Sequence, residues 1–293
     1  MMERREFLTL NIGGQLHTWS RPVVMGILNL TPDSFFADSR VNQENLRIRA
    51  GEMLDAGADI LDIGGVSTRP GASWVSMAEE LTRLLPAVEE IRKSFPEAII
   101  SVDTFRAETA RKCVEGGADI INDISGGSLD AAMFETVARL KVPYVLMHTR
   151  GTPADMQNLT DYDDVTADVL SDLAFKADRL HQTGVSDVII DPGFGFAKTL
   201  DQNYELLGGL RLFTAIGPVL AGMSRKSMAT RLLDIPESEA LNATTALNMT
   251  ALLNGASILR VHDVKEAVET CRIYSAYARN LPEQENIITT VTI

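Results

Sequence analysis

The chain has 293 residues, with 27 Lys and Arg against 40 Asp and Glu, a formal charge of −13 and a pI near 4.8. Nucleic acid is excluded as a partner, because its recognition works through a basic face that neutralises phosphates; an anionic ligand must find a specific local site. No apolar run reaches the ~18 residues a membrane span needs, no apolar stretch follows the charged start MMERRE, and Cys113 and Cys271 have no metal or redox spacing, so a cytoplasmic protein without membrane contact is expected.

In chain order, 7–19 comes first, with Gly13-Gly14 between Leu8-Thr9-Leu10 and Leu16-His17-Thr18; it predicts a β-hairpin, placed to plug the bottom of the main sheet. Short apolar runs rich in β-branched residues then recur at 23–28, 60–63, 98–102, 119–124, 142–147, 187–190, 218–222 and 257–261. They are continuous rather than alternating, as strands buried on both faces of a parallel sheet are. Between them lie helical stripes such as Met77, Leu81, Leu84, Leu85, Val88, Ile91 and Val165, Val169, Leu173, Ala177, Leu180. Ser76 with Glu79, and Asp263 with Glu266, have the form of capping boxes. Three times a helix ends in a small-residue turn before a strand, at 56–59, 115–119 and 254–257, where glycine offers a left-handed cap.

Eight strands alternating with helices predict an α/β fold, a (β/α)8 TIM barrel with an N-terminal β-hairpin, because closing the sheet leaves no edge. A doubly wound open sheet is the structural alternative. No linker or low-complexity stretch divides the sequence, which reads as a single domain, 1–293, with its core at about 21–281 and a frayed tail after Arg279.

Active sites of this fold sit at the C-terminal ends of the strands. Those ends carry Asn29, Asp62, Asp103, Asn122, His148, Asp191, Lys226, and Arg260 with His262. Any one of them serves equally as a cap or turn residue, but the set converges on one mouth. Asp103, Asn122 and Asp191 offer acceptors to the N–H groups of a flat heterocycle, and Lys226 adds a donor. Arg260, His262 and the loop residue Arg69 suit phosphate oxygens, and Asn29 can give an amide oxygen to Mg²⁺. The loops 29–36 and 67–71 combine hydroxyls, prolines, Phe35 and Arg69, the makings of lids over an anion. Gly193-Phe194-Gly195-Phe196-Ala197-Lys198 lacks the last glycine of a dinucleotide fingerprint, Gly217 and Gly222 lead into Met223 rather than a P-loop lysine, His148 and His262 lack zinc-ligand partners, and no Gly-x-Ser-x-Gly elbow occurs.

The segments 26–35 (GILNLTPDSF), 62–72 (DIGGVSTRPGA), 101–104 (SVDT), 122–126 (NDISG), 147–157 (MHTRGTPADMQ), 191–196 (DPGFGF), 222–227 (GMSRKS) and 260–264 (RVHDV) together resemble the dihydropteroate synthase family of folate biosynthesis, the sulfonamide target, in its order across residues 23–264. The resemblance implies a (β/α)8 barrel, a homodimer, and the Mg²⁺-assisted condensation of 6-hydroxymethyl-7,8-dihydropterin diphosphate with 4-aminobenzoate to 7,8-dihydropteroate and pyrophosphate. By position it assigns Asp103, Asn122, Asp191, Lys226, Gly222, Met147 and Phe196 to the pterin. Asn29, Thr68, Arg69, Arg260 and His262 go to the diphosphate, with Asn29 the metal ligand. Phe35, Thr68, Pro70, Phe194, Lys226 and Ser227 go to the aminobenzoate; for Phe194 and Phe196, core packing is the equal alternative.

The implied catalytic group is Arg260, His262, Arg69 and Lys226. Because an arylamine is a poor nucleophile and a dihydropterin can carry an exocyclic cation, early departure of pyrophosphate is the expected route, served by anion stabilisation. Arg260→Ala is then expected to impair diphosphate binding while sparing free pterin. Val66, Ala197 and Thr149-Arg150 depart from the usual family residues, and Arg150 is expected to add positive charge near the mouth. The alternatives are a pterin-dependent methyltransferase, which needs no leaving-group site, and a catalytically silent pterin-binding barrel.

Overall fold

Antiparallel strands β1 (Leu8–Ile12) and β2 (Gln15–Trp19) open the fold. They turn through Gly13 and Gly14 at φ 59° and 84°, the left-handed conformation that a two-residue hairpin turn demands and a Cβ disfavours. The computed structural model describes residues 7–30, 39–66, 75–152 and 154–281.

The hairpin is followed by eight parallel strands: β3 (Val23–Asn29), β4 (Ile60–Gly64), β5 (Ile99–Asp103), β6 (Ile120–Asp123), β7 (Tyr144–Met147), β8 (Val188–Asp191), β9 (Leu220–Ala221) and β10 (Ile258–Val261). Their order is β8-β7-β6-β5-β4-β3-β10-β9. The ring closes where Val219, just before β9, bridges Ile190 of β8, whose N–H donates to the Pro218 carbonyl at 2.8 Å. Every expected strand is present and the sheet is a closed barrel, so the open-sheet alternative falls.

Around it run α1 (Ser39–Asp55), α2 (Met77–Ser94), α3 (Ala107–Glu115), α4 (Met133–Leu140), α5 (Val165–Thr183), α6 (Leu200–Gly208), α7 (Ser227–Leu233), α8 (Leu241–Leu253) and α9 (Val264–Arg279). Ser76 caps α2 as expected, accepting from the Glu79 N–H at 3.2 Å. Asp263 does not cap α9 with its side chain. Its carboxylate takes Nε and Nη2 of Arg225 at 3.0 and 2.5 Å, a charge-assisted fork stronger than a cap bond. The three repeated turns carry Gly57, Gly117 and Gly255 at φ 100°, 113° and 101°, as the left-handed exit requires.

Alternation along each strand sends one set of side chains outward, where Leu61, Ile63, Ile100 and Ile121 pack under the helices. The other set points into the barrel. Its lower layer, with Met25, Ile60, Ile99, Ile120, Val145 and Ile258, packs against Leu8, Leu10 and Ile12 of β1. The hairpin therefore plugs the N-terminal end, and Asn11 N–H fixes it to the Asp187 carboxylate at 3.1 Å. Both faces being apolar at that level explains the continuous apolar runs. Polar inward positions are left to the C-terminal end. Among the described residues no helix is long and apolar enough to cross a membrane.

Candidate active site

Asp62 and Ser101 are register partners on β4 and β5, and Asp103 pairs with Asn122 across β5 and β6. Closure of the barrel brings Arg260 on β10 against them. Arg260 Nε donates to Asp62 Oδ2 at 2.6 Å and Nη2 to Asp103 Oδ2 at 2.8 Å. Asp62 also accepts from Ser101 Oγ at 2.6 Å and Asn122 Nδ2 at 3.1 Å. With no exposed surface, Asp62 is the centre from which an arginine and an asparagine are both oriented. Burial pushes the Asp103 carboxyl up to about 7, against the pull of Arg260 and with help from the nearby Asp62 charge.

Across the mouth, burial raises the Asp191 carboxyl, opposed by Lys226, and its Oδ1 accepts from the Gly193 N–H at 2.8 Å. Burial pulls the Lys226 ammonium down to about 8, with Asp191 opposing. Its Nζ donates to the Phe194 carbonyl at 2.7 Å and lies 4.8 Å from the centre of the Phe196 ring, within cation–π range. A Cβ on Gly222 would lie 3.8 Å from Lys226 Nζ and 3.9 Å from Arg260, so this glycine occupies the gap between the two cations. Phe196 and Met147 join Phe105, Ile124 and Met156 in a separate apolar cluster. Met147 is the register partner of Asp191 and the Phe196 ring meets Lys226, so this apolar wall adjoins the polar groups of the mouth.

His262 follows β10, with Nδ1 3.1 Å from Ser224 Oγ and its N–H donating to the same oxygen at 3.2 Å. Asn29 is exposed at the end of β3, its Oδ1 3.2 Å from the point where a Gly64 Cβ would stand; Asp103 lies 3.8 Å from that point. Among the described residues no cluster of three or more His, Cys, Asp or Glu could hold a metal. One amide oxygen close to the Asp103 side chain suits Mg²⁺, which keeps few protein ligands and would take the rest from substrate and water. Ser227 is the first residue of α7, beside the N-cap Lys226.

One expectation needs correction. The Phe194 ring does not frame the mouth: it has no exposed surface and belongs to the main core cluster, so only its carbonyl reaches the site. Arg150 does bring positive charge near the mouth, where it adds to burial in lowering His148 and Lys198. Its guanidinium lies 3.6 Å from the centre of the Tyr162 ring, bonds the Asp161 carbonyl and pairs with Asp168 at 3.4 Å. Phe35, Thr68, Arg69 and Pro70 lie outside the described residues. The sequence assigns no role to Asp62 although it stands among the strand ends, and it misses Ser101 and Ser224. Ser101 had a signal: two residues before Asp103 on a strand, it shares the inward face.

The model of the pterin binding enzyme family matches residues 25–262. A dihydropteroate synthase of Escherichia coli K12 is 46% identical over 261 residues, 88% of this chain and 92% of its own length. One from Synechocystis is 43% identical over 276 residues, 92% of this chain and 95% of its own. The crystal structure of Yersinia pestis dihydropteroate synthase with a sulfonamide drug complex superimposes with a TM-score of 0.86 at 40% identity, covering 93% of this chain and 99% of that one. The polar mouth and its apolar wall thus sit in a barrel shared along nearly the whole chain with these enzymes, and the chain belongs to the pterin binding enzyme family, among its dihydropteroate synthases.

Proposed function

We propose that the mouth condenses 6-hydroxymethyl-7,8-dihydropterin diphosphate with 4-aminobenzoate, releasing pyrophosphate and 7,8-dihydropteroate. The carrying observation is the placement of Arg260 between Asp62 and Asp103, opposite Lys226, Asp191 and the Phe196 ring. Asp191, Asn122 and Asp103 take the N–H groups of the pterin, Lys226 donates to its ring, and Met147, Phe196 and Gly222 bound it. Arg260, His262 and Asn29 face the diphosphate, which Thr68 and Arg69 close over. Phe35, Pro70 and Thr68 hold the aminobenzoate ring, with Lys226 beside it and Ser227 near its carboxylate.

The C–O bond at the exocyclic carbon breaks first and pyrophosphate leaves with the electron pair. The arylamine nitrogen then forms the C–N bond and gives up a proton. Arg260, Arg69 and His262 hold the departing negative charge, an electrostatic task rather than a basic one. Mg²⁺, when held by Asn29 and the diphosphate oxygens, supplies further charge neutralisation of the leaving group. The apolar wall and the loops exclude water that would capture the cation.

A cytoplasmic homodimer belongs to the same proposal. Cys113 and Cys271 are free and buried, which suits a reducing compartment. Leu241 on α8 and Ile273 and Tyr277 on α9 are exposed on neighbouring helices, which suits a contact with a second copy.

The test is pyrophosphate release from purified protein with dihydropterin diphosphate and Mg²⁺, with and without 4-aminobenzoate. The expected result is release that requires the arylamine and falls at least ~100-fold in Lys226→Ala. Folded protein that releases nothing at any Mg²⁺ concentration would make the barrel a silent pterin binder instead.

A further inference from the structure

Behind the mouth, Lys198 is 4% exposed and has no part in the chemistry above. Its Nζ meets three acceptors, the Gly193 carbonyl at 3.0 Å, the Phe196 carbonyl at 2.9 Å and His148 Nδ1 at 3.1 Å. Burial lowers the Lys198 ammonium to about 7, with the Asp191 charge opposing; when protonated it has three N–H donors, and this environment consumes all of them inside the protein. Burial lowers the His148 ring to about 2, with the Lys198 charge adding to the effect, which keeps the imidazole neutral and able to accept.

The loop wrapped round this ammonium is unusual in its backbone. Gly193, Gly195 and Ala197 stand at φ 73°, 83° and 50°, the last a conformation that a residue with a Cβ rarely takes. A Cβ on Gly193 would fall 2.0 Å from the His148 carbonyl oxygen, so the loop lies flush against the end of β7. From the same loop the Gly193 N–H holds Asp191, the Phe194 carbonyl holds Lys226, and the Phe196 ring lies against Lys226 Nζ.

We propose that Lys198 is a positioning residue for the pterin half of the reaction. By gathering the Gly193 and Phe196 carbonyls and His148 around one buried ammonium, it sets the Phe194 carbonyl, the Phe196 ring and Asp191 at the heights from which they orient Lys226 and the pterin. This rests on the assignment of Asp191, Lys226 and Phe196 to the pterin. It predicts an asymmetry between the substrates, because Asp191, the Phe196 ring and Lys226 are all set by this loop on the pterin side, whereas only Lys226 also borders the arylamine.

The experiment compares wild type with Lys198→Met, which keeps the stem and removes the three donors, and with His148→Asn and His148→Leu. Asparagine keeps an acceptor near the place of Nδ1 and leucine does not. Fraction folded is measured by circular dichroism, and kcat and both KM values by pyrophosphate release. Lys198→Met is expected to raise KM for dihydropterin diphosphate by about 10-fold or more, the scale of lost hydrogen bonds to a charged group. KM for 4-aminobenzoate stays within about twofold. His148→Leu shifts in the same direction and His148→Asn restores most of the difference. Folded Lys198→Met with an unchanged pterin KM overturns the proposal, as does a parallel rise in both KM values. Should Lys198→Met not fold, equal pterin KM values in the two His148 variants overturn it. Asp191→Asn runs alongside: an unchanged pterin KM there refutes the pocket assignment itself, which separates that failure from failure of the Lys198 role.

Discussion

Arg260 is held from two directions, by Asp62 and by Asp103, and this changes what its removal does. Arg260→Ala strips the counter-charge from two buried carboxylates, so it should weaken free pterin binding along with diphosphate binding and lower stability by about 3 kcal/mol; urea unfolding and calorimetry with free pterin check both. The clean separation expected from sequence therefore belongs to Arg260→Lys, which keeps a cation in place. Lys226, brought down to about 8 by burial, loses its charge as pH rises through that value. The kcat/KM for dihydropterin diphosphate should fall as pH rises through about 8; Lys226→Arg, whose guanidinium stays charged, should make that fall shallower and leave the part due to Lys198, which burial lowers to about 7.

His148 has a folded value near 2 against an ordinary 6.5, so unfolding takes up a proton below pH 6.5. The stability tied to its neutral form is present above about 6.5 and is lost as pH falls, at up to about 1.4 kcal/mol per pH unit. Unfolding free energies measured from pH 7 to 5 should show a steeper slope in wild type than in His148→Leu. At this scale most polar strand ends were legible because a barrel sends them to one mouth, though His148 turns instead to Lys198 behind it. The Phe194 ring was not. It and Phe196 are two apart, which on a strand means one face, but Gly195 at φ 83° breaks that alternation, sending one ring to the core and the other to the site. The role of Lys198 was equally hidden, because its partners are backbone carbonyls that only the loop's left-handed turns gather together.

Among the elements, the strands were legible from continuous apolar runs, which record burial on both faces. Strand β9 is the shortest of them. Pro218 has no N–H to give a ladder, and a Cβ at Gly217 would come 2.9 Å from the Val188 carbonyl, so the seam rests on a close backbone approach and a single bridge. The Asp263 cap was misread because local spacing does not reveal Arg225, which lies 38 positions away. The β1 hairpin makes an energetic prediction of its own. Leu10 is 1% exposed beneath the barrel's lower layer, so Leu10→Ala should lower stability by about 2–5 kcal/mol while leaving both KM values near wild type at temperatures where the variant is folded.

For the molecule as a whole, the charge of −13 and an anion-binding mouth are reconciled by locality: the cations that matter are buried among carboxylates, where screening by salt is weak. The proposed second copy is tested at this scale. Ile273→Asp, at a side chain 62% exposed, should convert a species of twice 32.0 kDa into one of that mass in light scattering, with circular dichroism unchanged; a species that stays double would place the contact elsewhere.

The plugged lower end has a further consequence, for traffic. With the hairpin sealing the floor, the barrel is a well with one doorway, and whatever lodges against the Asp62 layer must pass that doorway before anything bound above it. Under the proposed arrangement the pterin descends first, the arylamine arrives as the upper guest, and the joined product has to back out before another pterin can enter. Dihydropteroate should therefore inhibit competitively against dihydropterin diphosphate, and 4-aminobenzoate should bind measurably only after the lower berth is filled.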